Sequence, residues 1–167
     1  GYDIGNSLVE EDKIHVAKAV LKEAENHNCK VILPKDVVVS KNLEEPKSSK
    51  NIEVENIQKE FSIFDVGEKT IEEISNTVAN CKTLFWNGPL GVYEKPPFDN
   101  STNVIGRTIA LLSKANILTS VVGGGDTVAA LNNAELSGGF SYVSIAGGAL
   151  VEWLEGKKLP GLHFLEK

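Results

Sequence analysis

The stretch VVGGGDTVAAL, residues 121–131, decides how the rest of the chain is read. An apolar run rich in valine ends in Gly123, Gly124 and Gly125; an acid, Asp126, and a hydroxyl, Thr127, follow, and then a helix-like run. A strand that passes through bare backbone into a helix is one unit of a parallel sheet whose helices return across its faces. Glycine is needed where φ turns positive or where something must approach the backbone closely. The free N–H groups and positive dipole end of the following helix then face that approach, and together they form an anion site. A tight turn with close helix–strand packing explains the same glycines without a ligand. Asp126 bears on the choice. A carboxylate repels a phosphate unless a cation lies between them, and Mg²⁺ binds through one carboxylate plus phosphate oxygens. As an ordinary helix N-cap, Asp126 would need no ligand at all.

Working outward, the pattern repeats. Ile14, Ala17, Leu21 and Ala24 recur at helical spacing and predict a helix over 12–27 with these residues on its inner face. KVILP (30–34) and DVVVS (36–40) read as short strands, and 41–60 as a charged surface excursion with an extended piece near 52–54. FSIFDVG (61–67) is strand then turn. Thr70 and Glu73 have the spacing of a capping box for a helix whose inner face is Ile71, Ile74 and Val78. TLFW (83–86), ILTSVV (117–122) and YVSI (142–145) read as strands. Ile105, Ile109 and Leu112 mark a helix, and two more cover 127–135 and 148–155. Strands alternating with helices predict a parallel sheet covered on both faces, without a visible domain boundary or repeat.

The bulk properties narrow the function. The 167 residues carry a net charge of -6 with 41% hydrophobic and 24% charged residues, ordinary for a globular domain. The acidic balance argues against a nucleic-acid or anionic-membrane partner, and no apolar run approaches the ~20 residues of a membrane span. The two cysteines, Cys29 and Cys81, read as buried structural thiols of a reducing cytoplasm. The chain contains no Met and opens on GYDIGNSLVEEDK, which predicts a piece of a longer protein.

Ligands of such sheets collect beyond the carboxyl ends of the strands. Three unusual segments fall there: WNGPLGVYE, VVGGGDT and SIAGGA. Gly147 and Gly148 offer a second bare helix start, so two anion sites lie side by side, as a polyphosphate or a phosphate in transfer requires. Asn87 and Pro89 make a rigid turn, Val92 offers an apolar surface for a flat base, and Glu94 can accept from ribose hydroxyls. Each of these alone is as well explained by structure. There is no G-x-x-x-x-G-K-[ST] P-loop, His15, His27 and His163 are scattered, and no Cys/His spacing suggests zinc.

Taken together, LFWNGPLGVYE, VVGGGDTVAAL and VSIAGGALVEWLEGKKLPG, with SLVE and ILPKDVVV upstream, resemble the C-terminal, nucleotide-binding domain of the phosphoglycerate kinase family, in order and over nearly the whole chain. The resemblance implies a Rossmann-like three-layer α/β/α domain with a mostly parallel sheet. It implies that residues 1–167 are a single domain truncated at its N-terminal edge, without the first strands and without the substrate domain. The implied reaction is glycolytic phosphoryl transfer between 1,3-bisphosphoglycerate and Mg·ADP, giving 3-phosphoglycerate and Mg·ATP. By resemblance Asn87, Pro89 and Val92 line the nucleoside site, Phe64 stands where the family usually places an aliphatic adenine contact, and Glu94 takes the ribose. Gly123, Gly124, Gly125 and Thr127 belong to the nucleotide phosphate site, Asp126 binds magnesium, and Gly147 and Gly148 steady the phosphoryl group in flight. The phosphoglycerate would be held by the N-terminal domain, in a monomeric, cytoplasmic enzyme. Ser144-Ile145 stands where the family commonly has Ser-Thr, and Ala146 replaces a frequent Gly.

Two other readings compete. The chain as it stands is a nucleotide-binding module without activity of its own, or it belongs to a ribokinase-type small-molecule kinase. WNGP followed by Glu94 argues against the latter. Turnover with an acyl phosphate, or its absence, separates the three.

Overall fold

The β-branched run DVVVS forms β1 (Asp36–Ser40), and KNIE and SIFDV form β2 (Lys50–Glu53) and β3 (Ser62–Val66). In the computed structural model, which describes residues 2–162, these strands make a sheet in the order β2-β1-β3, antiparallel throughout, with Val37 opposite Ile52 and Val66. The expected parallel arrangement does not hold here. Parallel neighbours need a crossover of a dozen or more residues, usually helical, whereas an antiparallel pair needs only a turn. The connections at 41–49 and 54–61 carry only short 3₁₀ turns, so each strand turns back on its neighbour. Val37, Val39, Ile57 and Phe61 are buried together, with Ile52, Val54 and Ile63 against them.

Three further expectations fail in this part of the chain. Residues 30–34 are not a strand. A strand exists through its ladder, and 30–34 joins neither sheet; Val31 and Leu33 are exposed. The predicted helix is present as α1 (Ile14–Asn26), but none of its residues is buried. Helical spacing predicts a helix and its stripe, not a partner for the stripe. Cys29 is exposed and Cys81 half-buried, with the latter's thiol donating to the Thr77 carbonyl at 3.3 Å.

The next helix, α2 (Glu68–Ala79), begins two residues before Thr70. Its N–H groups are not satisfied by a Thr70–Glu73 capping box. They are met by the carboxylate of Asp36: Oδ2 accepts from the Lys69 N–H at 3.0 Å and Oδ1 from the Thr70 N–H at 2.9 Å. Glu73 instead pairs with Lys30 and Lys35, each at 2.7 Å.

The second half follows the predicted alternation. TLFWN, TSVVG and YV form β4 (Thr83–Asn87), β5 (Thr119–Gly123) and β6 (Tyr142–Val143), a parallel sheet in the order β4-β5-β6. Between them run α3 (Asn100–Lys114) and α4 (Gly125–Asn133), and α5 (Gly148–Leu154) follows β6. Trp86, Phe98, Ile105, Ile109, Val122 and Leu131 are buried in this half. Gly106 serves packing, since a Cβ there would meet Leu136 at 2.9 Å and Leu131 at 3.4 Å. The fold is α/β. It divides into two compact units, Gly1–Ile74 and Ser75–Lys167.

Candidate functional site

Parallel pairing fixes the geometry of one sheet edge. Asn87, the last residue of β4, is the register partner of Gly123, the last of β5, and Val122 pairs with Val143 of β6. Neighbouring strands lie about 4.8 Å apart. The turns that leave β4, β5 and β6 therefore open side by side at the carboxyl edge, and they carry Asn87–Glu94, Gly124–Thr127 and Gly147–Gly148.

The first turn is pinned at several points. The Trp86 indole N–H donates to the Gly88 carbonyl at 2.7 Å, and the Gly88 N–H donates to Thr127 Oγ1 at 2.6 Å. Beyond Pro89, the Leu90 N–H donates to Thr102 Oγ1 at 2.8 Å, and that hydroxyl donates back to the Leu90 carbonyl at 2.6 Å. Pro89 and Val92 are half-buried, and Asn87 and Glu94 exposed. Asn87, Pro89, Val92 and Glu94, the residues singled out in the sequence, fall on this one turn. Sequence reasoning misses Thr102, whose only signal is a hydroxyl inside a helical pattern.

The three glycines of the second turn have three different reasons. Gly123 is a packing glycine: a Cβ there would sit 3.1 Å from the Phe85 ring and 3.2 Å from Leu150. Gly124 has φ +90, a conformation L side chains rarely adopt, and a Cβ would lie 2.7 Å from Asn87 Oδ1. Gly125 has nothing within 4 Å of a Cβ, so open space lies above its backbone. The first helical bond of α4 runs from the Val128 N–H to the Gly124 carbonyl at 3.1 Å. The N–H groups of Gly125, Asp126 and Thr127 precede it and are the ones a helix leaves for an anion.

The N-cap of α4 is Gly124, with no side-chain cap, and Asp126 lies inside the first turn, exposed. The capping explanation of Asp126 therefore does not apply to this helix. Thr127 is buried at 1% exposure, and its oxygen accepts from the Gly88 N–H. Tyr93 reports the field around Asp126. Its phenol is pushed above its ordinary pKa by burial, then by the charges of Glu94 and Asp126, and it hydrogen-bonds Glu94. Asp126 is an exposed carboxylate at a helix start, the kind of group that a cation can bridge to a phosphate. Among the described residues no group of three or more His, Cys, Asp or Glu could hold a metal ion. The donor set fits Mg²⁺ in the way this ion is commonly held, by one or two carboxylates with phosphate oxygens and water completing the shell.

At the third turn, the Ser144 N–H reaches the Val122 carbonyl at 2.8 Å, and Ser144 Oγ accepts from the Ala146 N–H at 3.2 Å. Gly147 caps α5 with φ +57 and ψ -136, and neither Gly147 nor Gly148 has an atom within 4 Å of a Cβ. Ile145 is 95% exposed, so the side chain in the place of a commonly found Thr projects into solvent.

Comparison with known proteins decides the family. The sequence profile of the family described as "Phosphoglycerate kinase" matches residues 1–157. The chain belongs to the phosphoglycerate kinase family. The phosphoglycerate kinases of Sphingopyxis alaskensis and Rhizorhabdus wittichii are 46% and 47% identical to it over 99% of its length. Both alignments cover 42% of the relative, so the chain spans under half the length of the curated phosphoglycerate kinases it matches. The structure of phosphoglycerate kinase from Coxiella burnetii superposes with a TM-score of 0.92 at 38% identity, over 99% of this chain and 41% of that one. The Pyrococcus horikoshii phosphoglycerate kinase shares the fold, with a TM-score of 0.68 at 23% identity.

Within this chain, Asn87, Pro89, Val92, Glu94, Gly123, Gly124, Gly125, Asp126, Thr127, Gly147 and Gly148 all lie in the second compact unit, on the turns of one sheet edge. Phe64, half-buried in β3, belongs to the first unit.

Proposed function

We propose that this chain supplies the nucleotide-binding part of a phosphoglycerate kinase, acting in phosphoryl transfer between 1,3-bisphosphoglycerate and Mg·ADP. The observation that carries the reading is the parallel register, Asn87 beside Gly123 and Val122 beside Val143, which sets the turn after β4 next to two glycine helix starts. The nucleoside would lie against Asn87, Pro89 and Val92, the ribose hydroxyls on Glu94, and the nucleotide phosphates on the N–H groups of Gly124, Gly125 and Thr127. Mg²⁺, held by Asp126 and phosphate oxygens, would neutralise charge on the phosphates. A terminal ADP oxygen attacks the acyl phosphate phosphorus, the bond to the acyl oxygen breaks, and a carboxylate leaves. Such a transfer asks for alignment and charge stabilisation and needs no side-chain nucleophile. Gly147 and Gly148 would give backbone donors to the group in flight.

The phosphoglycerate would be bound by the part of the longer relatives that this chain does not match. That supports a second statement: alone, the chain is a nucleotide-binding module without turnover. Glycolytic chemistry would place the enzyme in the cytoplasm. No helix of the described residues is long and apolar enough to cross a membrane.

The test is Asp126→Asn in the full-length enzyme. Turnover at saturating magnesium is expected to fall on the order of 100-fold, the loss of a few kcal/mol of electrostatic stabilisation. Because Asp126 does not cap α4, melting without nucleotide is expected to stay within about 1 kcal/mol of the parent. Near-normal turnover would remove the metal assignment.

A further inference from the structure

Thr102 stands at the third position of α3 and is fully buried, at 0% exposure. A threonine so placed commonly bonds back to its own helix or faces solvent. Here the hydroxyl leaves the helix and serves one residue of another segment twice. It accepts from the Leu90 N–H at 2.8 Å and donates to the Leu90 carbonyl at 2.6 Å. Two opposed bonds on one residue fix both where that residue sits and how it is rotated. Leu90 follows Pro89 directly and precedes Val92 by two. The other end of the turn is held separately, by Trp86 on the Gly88 carbonyl and by Thr127 on the Gly88 N–H. Thr102 is thus a clamp on the Pro89–Val92 end, its single proton committed to the Leu90 carbonyl.

We propose that Thr102 is a positioning residue of the nucleotide site: its hydroxyl holds the Leu90 backbone so that Pro89 and Val92 present a pre-formed apolar wall to the base. The proposal rests on the nucleotide-site reading above. A pre-formed wall removes the cost of ordering this segment on binding, and that cost falls equally on the ground and transition states. It therefore shows in the nucleotide KM and not in kcat.

The experiment uses the full-length enzyme with Thr102→Val, which keeps shape and removes the hydroxyl, and Thr102→Ser, which keeps the hydroxyl. For Thr102→Val the KM for ADP is expected to rise about tenfold, with kcat within about twofold and the KM for the phosphoglycerate substrate unchanged. Thr102→Ser is expected to recover most of the nucleotide KM. Magnesium tripolyphosphate, which has no base, should inhibit parent and valine variant alike. A valine variant that merely melts earlier, with its nucleotide KM unmoved, overturns the proposal. Should that variant not fold, Leu90 amide hydrogen exchange in the parent without nucleotide decides the matter: slow exchange supports the clamp, and exchange at the rate of an open loop refutes it. NMR shifts on adding ADP to the parent separate the two layers. If Gly88 and Val92 do not respond, the site reading falls, and the clamp's role with it. If they respond while Thr102→Val keeps the parental KM, only the clamp falls.

Discussion

Asp36 and Thr70 lie 34 residues apart and hold each other through side chain and backbone together. The Thr70 hydroxyl donates to Asp36 Oδ1 at 2.7 Å, the Thr70 N–H donates to the same oxygen at 2.9 Å, and the Asp36 N–H donates to Thr70 Oγ1 at 3.3 Å. Oδ2 is occupied as well, by the Lys69 N–H and by Asn51 Nδ2, each at 3.0 Å. Asp36 is 0% exposed. A strand residue thus caps the following helix across the sheet–helix junction.

Removing this carboxylate should be costly. Asp36→Ala leaves buried N–H groups of α2 and the Asn51 amide without partners, which predicts a loss of about 2–4 kcal/mol. Asp36→Asn retains one acceptor oxygen and should lose less. Urea unfolding of the full-length protein, read at a probe in this unit, checks the order. Equal stability of the alanine variant and the parent would show that the cap contributes nothing.

The same group sets a pH dependence. Burial raises the Asp36 pKa, but the hydrogen bonds from Asn51, Thr70 and the Lys69 and Thr70 N–H groups outweigh it, and the net position is below the ordinary 3.8. Lys30, then Lys35, hold the half-buried Glu73 down from 4.5 to about 2. Both carboxylates bind protons more tightly in the unfolded chain, so stability rises with pH across this window. The contribution is fully present above the unfolded values. It is lost as pH falls through the folded ones, for Glu73 between 4.5 and about 2. Acid unfolding profiles are expected to show a shallower decline below pH 4.5 for Asp36→Asn and Glu73→Gln than for the parent. A profile as steep as the parent's in both variants would contradict the assignment.

Adjacent glycines should respond in opposite ways. Gly124→Ala places a Cβ at φ +90 and 2.7 Å from Asn87 Oδ1, so a loss of roughly 1–3 kcal/mol is expected. Gly125→Ala meets nothing within 4 Å and lies inside α4, where alanine is favoured; stability should hold or rise by up to about 1 kcal/mol. The added methyl nevertheless projects where a phosphate would approach, so nucleotide affinity should fall. Thermal melting and calorimetric titration with Mg·ADP on both variants test the pair. Unchanged affinity in Gly125→Ala would mean that nothing approaches that backbone.

The isolated 167-residue chain is expected to show no phosphoglycerate kinase turnover, since it spans 42% of its relatives' length. A coupled assay with 3-phosphoglycerate and Mg·ATP measures this directly. Family-like rates from the isolated chain would overturn the division of labour proposed here.

The parallel half of the fold is legible in the local pattern of the chain, and so are the turns that carry the candidate site. Valine-rich runs ending in glycine before a helical period can be satisfied in few ways, and the local pattern at 83–92, 117–131 and 142–154 contains the whole signal. Tertiary structure decided what depends on partners distant in sequence. The strand-like run at 30–34 has the right composition but joins neither sheet, and α1 has an apolar stripe with nothing buried beneath it. Thr70 and Glu73 match a capping box in spacing, yet the buried carboxylate of Asp36 outcompetes that local arrangement. Thr102 gives no sign of its part, because a hydroxyl in a helical pattern acquires one only when another segment is folded against it. Periodicity is local and survives in one dimension; hydrogen-bond partnership is a matter of distance in three.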